Sequence, residues 1–213
     1  MDNMESVLSG KCAVIIGCGG LGCNVSVHLA GMGIGRLILV DFDRVERSNL
    51  NRQFLYTSDD VGSPKCDLLA ARLRAYAPRC MIECRNRRVT CTDDLSFAQD
   101  ADILISAVDG NAARRVLNDY CTQQGKPLVN GGVNGMYGTA YLYVPGISAD
   151  LARAGVLDAE NDRVRAVSST VGVIGALQAQ LAARYLSGDC SQAGNLLIFD
   201  REEIHSMHIR YEE

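Results

Sequence analysis

Within the stretch "DFDRVERSNLNRQF" (41–54), two carboxylates, Asp41 and Asp43, are followed by Asn49, Arg52 and Gln53. An aspartate next to a guanidinium and two amides is a set that can hold a polar, phosphorylated ligand. The carboxylate accepts hydrogen bonds from ribose hydroxyls. The arginine forks onto phosphate oxygens. The amides hold the loop or meet a polar ligand edge. Two further groups extend the set. Lys65 follows "SP" at the start of a helical pattern. A cation there opposes the helix dipole by about 0.3–1 kcal/mol unless an anion lies between them. Asp109 follows an apolar run, "ADILISAV" (101–108), where a carboxylate facing a triphosphate needs a cation as a bridge. Magnesium, bound by one or two carboxylates plus phosphates and water, suits that position. A helix N-cap is the competing role for Asp109.

Upstream lies "GCGGLG". Gly17, Gly19 and Gly22 fit G-x-G-x-x-G, with Gly20 between them. The motif carries meaning only between a strand and a helix. That context is present: "KCAVIIG" (11–17) reads as a strand, and "GLGCNVSVHLAGMG" (20–33) has helical spacing at Leu21, Val25, His28 and Leu29. Glycines permit close backbone approach, and the helix N-terminus offers unpaired amides to phosphate. The loop alone does not separate NAD, FAD and ATP.

The elements that must position these residues alternate. "RLILVDFD" (36–43) is a second strand ending on Asp41. A polar loop runs to Gly62. "SPKCDLLAARLRAYAP" (63–78) predicts a helix with Ser63 as N-cap and Pro64 at its first position. Strands follow at 80–89, 101–108, 127–133 and 138–144, with a short helix near 93–99 and another over 110–124. A weakly patterned crossover, 145–165, precedes a long buried helix over 167–187, and the strands "NLLIFD" and "EIHSMHIR" close the chain. The expected architecture is α/β: a Rossmann-like, mostly parallel twisted sheet with helices on both faces and antiparallel C-terminal strands. It forms a single nucleotide-binding domain over residues 1–213.

Bulk composition narrows the function. Among 213 residues, 47% are hydrophobic and 22% charged, with net charge -4. That is ordinary for a soluble protein and gives no electrostatic footprint for nucleic acid. No signal peptide or membrane span is visible, which places the chain in the cytoplasm. Nine cysteines are an odd number with no C-x-x-C among them. They read as small buried hydrophobes, and neither disulfides nor zinc are expected.

The motifs "GCGGLG", "LVDFDRVERSNLNRQ", "GSPK", "SAVDGNAAR", "NGGVNGMYG" and "VGVIGALQAQLAARYLSG" occur in this order over residues 11–200. The sequence thereby resembles the ThiF/MoeB/HesA adenylyltransferases, relatives of the ubiquitin-activating enzymes, in a short ThiF-like form. The resemblance implies that Asp41 contacts the ribose of ATP, that Asn49, Arg52, Gln53 and Lys65 surround the triphosphate, and that Asp109 binds Mg2+. It implies adenylation of a carboxylate, commonly the C-terminal glycine of a small ubiquitin-fold sulfur carrier ending in Gly-Gly, in thiamin-type cofactor synthesis, by a homodimer. Arg52, Lys65 and Asp109 would be catalytic. The glycines of "NGGVNGMYG" would leave room for a Gly-Gly tail; strand bends explain them too.

Three features depart from longer relatives. Ten residues precede the first strand and none is arginine, where those relatives supply one to a partner subunit. The two C-x-x-C pairs are missing. The crossover has no cysteine, and the family position falls near Asn161. The adenylate is therefore expected to meet an external sulfur nucleophile. Cys18 would crowd the phosphates, and Cys66, beginning a helix, is the residual candidate for a reactive thiol. Three readings stay open beside this one: a small or tRNA-borne carboxylate as substrate, an NAD-dependent oxidoreductase, and a non-catalytic nucleotide-binding relative.

Overall fold

The computed structural model describes residues 2–157 and 166–211. Eight strands form one sheet: β1 (Cys12–Ile16), β2 (Arg36–Val40), β3 (Met81–Arg85), β4 (Ile103–Ser106), β5 (Leu128–Asn134), β6 (Tyr137–Tyr143), β7 (Asn195–Asp200) and β8 (Glu203–His208), in the order β3-β2-β1-β4-β5-β6-β7-β8. The first five pair in parallel and the last three antiparallel. The α/β class and the antiparallel C-terminal strands read from the sequence are both present.

The parallel strands are unbroken apolar runs because both their faces are covered. Ala13, Ile15, Leu37, Leu39, Ile103 and Ile105 point to one side. There they pack under α2 (Gly20–Gly31), α3 (Lys65–Tyr76) and α5 (Ser168–Leu186). Val14, Ile16, Ile38, Val40 and Leu104 point to the other, toward α4 (Asn111–Gln124), a 3₁₀ segment at Thr92–Ala98 and Leu151–Leu157. This period-two split places the C-terminal ends of β1 and β4, where the strand order reverses, at an open crevice.

One element adds to the sequence-based expectations and one corrects them. A short helix, α1 (Asp2–Leu8), precedes β1 and buries Leu8. The helix at "SPK" starts one residue late: Pro64 is extended at φ -61 and ψ 128 and occupies the cap position, and Ser63 makes no cap bond. Backbone pairing explains the late start of α3. Val45 N donates to Ser63 O and Lys65 N to Asp43 O, which holds residues 43–45 and 63–65 side by side as a short ribbon. None of the described helices is long and apolar enough to cross a membrane.

Candidate nucleotide site

The glycine loop turns directly out of β1. Gly17 has φ +101, and a Cβ there would lie 2.5 Å from Ala107 O. A Cβ on Gly22 would fall 1.9 Å from Gly17 O, so the loop folds back on itself at hard contact. A Cβ on Gly20 would meet Val171 and Arg52 O at 2.7 and 3.0 Å, so α2 lies close against α5 and the polar loop there. Gly19 differs: a Cβ there would meet only the Gln53 amide nitrogen, at 3.5 Å. The protein does not fill that space. Gly19 is also the N-cap of α2 with no side chain capping the helix. The first amides of α2 are therefore open to an acceptor from outside.

Asp41 follows β2 and is anchored on both oxygens. Oδ2 accepts from Cys18 N at 2.6 Å and Oδ1 from Asp43 N at 2.8 Å. Each oxygen keeps lone-pair capacity for a further donor. Burial raises its carboxyl above the usual range, against the pull of these two backbone donors.

The loop between β2 and α3 is built around Asn49, which is buried. Its Oδ1 accepts from Glu46 N at 3.2 Å and closes the 3₁₀ turn Arg47–Asn49. Arg52 Nη1 donates to Ser48 O and to Asn51 Oδ1, at 3.1 and 2.9 Å. No carboxylate lies within ion-pair reach of it among the described residues. Gln53 is 4% exposed, and its Oε1 is buried without a partner among the described residues. Tyr56 ties the loop down, its hydroxyl 2.7 Å from Cys18 O. Lys65 is the first residue of α3. Its Nζ meets Asp43 Oδ2 at 3.2 Å, so an aspartate answers the helix-dipole conflict.

Asp109, after β4, is exposed. Gly110 rather than Asp109 is the N-cap of α4, so capping does not explain the aspartate. Further into the crevice lies Arg114, which the sequence reading left out of the site. Its signal was available, since it is a cation in a helix's first turn, as Lys65 is. The glycines of "NGGVNGMYG" serve close packing on one side: a Cβ on Gly131 would strike the Gln178 amide at 2.3 Å, and one on Gly138 would strike Ile174 at 2.3 Å.

These groups share one cavity of about 890 Å³. Gly17, Gly19, Gly20, Asp41, Asp43, Asn49, Arg52, Gln53, Lys65 and Asp109 all border it, whereas Gly22 lies behind the loop. Phe42 and Arg88 stand at the Asp41 end, with the guanidinium 3.9 Å over the ring. Asn130, Gly132 and Thr139 form the opposite wall. The volume is in the range of a small-molecule or cofactor site. Among the described residues, no group of three His, Cys, Asp or Glu converges to hold a metal ion.

Cys18 is a correction. Its side chain is buried in the core among Cys23 and Cys66, away from the phosphate loop's open face. The Cys66 thiol is also fully buried and donates to Leu39 O at 3.2 Å. The family cysteine position near Asn161 lies outside the described residues.

The sequence model of the ThiF family matches residues 1–213. The "Adenylyltransferase and sulfurtransferase MOCS3" of Drosophila grimshawi is 34% identical over 213 residues, covering 95% of this chain and 47% of that protein. The "Sulfur carrier protein ThiS adenylyltransferase" of Escherichia coli K12 is 32% identical, covering 94% and 81%. The crystal structure of E. coli MccB with ATP superposes with a TM-score of 0.84 at 26% identity, covering 97% of this chain and 66% of that one. The chain thus spans about half the length of the MOCS3 relative.

Proposed function

The chain belongs to the ThiF family, and from that premise we propose that it activates a carboxylate with ATP, forming an acyl adenylate and pyrophosphate. One observation carries the reading. Arg52, Lys65 and Asp109 border the same cavity as the glycine loop and Asp41. A dinucleotide oxidoreductase would use the loop and Asp41 and leave that cluster without work.

In the proposed reaction a carboxylate oxygen of the substrate attacks the α-phosphorus of ATP. The bond from that phosphorus to the α–β bridging oxygen breaks, and its electron pair leaves with pyrophosphate. Asp41 accepts from the ribose hydroxyls. The amides of Gly19, Gly20 and Leu21 face phosphate oxygens. Arg52 and Lys65 offset the charge that grows on the leaving group, and fixed cations do this with less reorganisation than water. Gln53 offers its orphaned Oε1 to a donor on the nucleotide. Asn49 acts by shaping the loop.

Asp109 fits a magnesium ion in its donor chemistry, being one exposed hard oxygen ligand at the cavity edge with the phosphates left to supply others. Such an ion would supply positive charge to the triphosphate.

As substrate we take the C-terminal carboxylate of a ubiquitin-fold sulfur carrier ending in Gly-Gly, serving thiamin-type synthesis. The name of the E. coli ThiS adenylyltransferase supports this choice, as does the lack of a side chain at Gly132 on the cavity wall. A homodimer in the cytoplasm belongs to the same reading. The test is ATP–pyrophosphate exchange with purified carriers. Exchange that requires an intact Gly-Gly carboxylate is the expected result. Tight NAD binding in calorimetry, with no ATP binding, would overturn the reading.

A further inference from the structure

Arg114 lies in the first turn of α4 and is half-buried, with its Nε shut off from solvent. Nη1 donates to Asn111 Oδ1 at 3.1 Å. Nη2 donates to Val108 O at 3.1 Å and to Gly131 O at 3.2 Å. A guanidinium has five N–H donors, so the Nε donor and one on Nη1 remain. Nε is buried and has no acceptor. No carboxylate lies within ion-pair distance of Arg114 among the described residues. Burial pushes its pKa down, and the charge of Asp109, farther off, pushes it back up.

A structural strut explains part of this. The β4–β5 ladder ends at Ser106 with Asn130, and Arg114 bridges the two chains just beyond, at Val108 and Gly131. A strut does not explain the charge. Buried cations are paired or carry a large desolvation cost, and a neutral amide could brace carbonyls without it. The missing anion is best supplied from the cavity that Arg114 borders.

Position separates that anion from the triphosphate. Arg52 and Lys65 stand on the β2–α3 side with the glycine loop. Arg114 stands on the β4–β5 side, where a Cβ on Gly132 would lie 3.7 Å from its Nη2. Gly132 and Thr139 line the cavity wall there.

We propose that Arg114 binds the reacting carboxylate of the acyl substrate and holds it beside the α-phosphate. This rests on the adenylation reading above. The carboxylate enters between Arg114 and the Gly132 wall. After attack on phosphorus, the former carboxylate's carbonyl oxygen stays on the guanidinium.

The experiment uses the full chain and two defined ligands, AMP and 5′-O-(N-glycylglycyl-sulfamoyl)adenosine, a stable mimic of a Gly-Gly adenylate. Calorimetry compares wild type, Arg114→Gln and Arg114→Lys. Wild type should bind the mimic more tightly than AMP. Arg114→Gln should weaken the mimic by about 10–100-fold, the scale for losing a hydrogen bond to a charged group, and leave AMP within about twofold. Arg114→Lys, with charge but no fork, should recover part of the difference and guards against misfolding of the glutamine variant. Equal loss for both ligands, or loss for neither, would overturn the proposal and leave Arg114 a strut. If wild type binds the mimic no better than AMP, the adenylation reading itself fails, and the proposal with it.

Discussion

Lys65 Nζ lies 3.2 Å from Asp43 Oδ2, with the lysine side chain 8% exposed and the aspartate 48% exposed. The two sides of this pair are therefore unequal. The ammonium depends on the carboxylate, while the carboxylate could be solvated without it. The pair also holds Lys65 in place at the cavity edge before any nucleotide arrives. Lys65→Ala should lower carrier-dependent pyrophosphate exchange by about 10²–10³-fold, the cost of removing one preorganised electrostatic group. Its thermal midpoint should stay near wild type. Asp43→Asn should instead lower stability, by about 1–2 kcal/mol, because it strands a nearly buried cation; solvent around the aspartate keeps the cost below that of a fully buried pair. Denaturant melts of the two variants give the comparison, and the reverse order would contradict this account.

Arg52 is held by neighbours in its own loop, Ser48 and Asn51. Among the described residues, its side chain makes no hydrogen bond or ion pair to a distant element. Arg52→Ala should keep the fold and reduce exchange by about 10²–10³-fold. Exchange close to wild type would make Arg52 a surface residue with no part in catalysis.

The glycines of the loop should separate by what surrounds them. Gly22→Ala and Gly17→Ala place a Cβ against backbone at 1.9 and 2.5 Å, and Gly17 adds a left-handed φ. Each should destabilise by about 3 kcal/mol or more, the scale of an overpacked, strained site. Gly110→Ala meets nothing within 4 Å and should cost less than about 1 kcal/mol. Gly19→Ala has only the flexible Gln53 amide nearby. It should melt near wild type and still lose ATP affinity, since its Cβ enters the space facing the helix amides. Calorimetric ATP titration beside a thermal melt separates the two effects.

How much of this was legible in the sequence depends on what each feature rests on. The parallel strands are covered on both faces, so local composition alone marks them, and Gly17 to Gly22 declare a strand–turn–helix. Pro64 misled because its conformation is set by pairing with residues 43–45, about twenty positions away, which no local rule reports. Helix α1 was missed because it is short and has little apolar periodicity beyond Val7 and Leu8. Arg114 was missed for a different reason. Its first-turn position could be read, but its partners Asn111 in α4, Val108 after β4 and Gly131 in β5 meet only in the fold, which also buries its Nε. Asn49 could be read as loop support or as ligand contact; its bond to Glu46 N favours support.

The thiols give the last prediction. An enzyme-bound acyl or sulfur intermediate would need a nucleophile that reaches the cavity. Cys18, Cys23, Cys66 and Cys121 are fully buried. A hydrogen bond with Cys66, then burial, holds the Cys18 thiol well above its ordinary range. Burial raises Cys23 to about 12. Thiolate is the reactive form, so Cys18 and Cys23 are inert while the fold is intact; the same hydrogen bond with Cys18 pulls Cys66 down instead, and it is burial that shields that thiol from a reagent. Cys91 is exposed, and Cys84 and Cys190 are half-buried; none of the nine cysteines borders the cavity. A thiol reagent such as DTNB should therefore label Cys91 first, Cys84 and Cys190 slowly, and the six buried residues, Cys12 and Cys80 among them, only on unfolding. Cys18→Ser, Cys66→Ser and Cys190→Ser, singly and combined, should retain carrier thiocarboxylate formation when sulfide is supplied, to the extent that the variants stay folded. A folded variant that keeps pyrophosphate exchange and loses sulfur transfer would show that the protein uses its own thiol. The buried placement of Cys18 and Cys66 predicts the opposite, that an external sulfur nucleophile intercepts the adenylate.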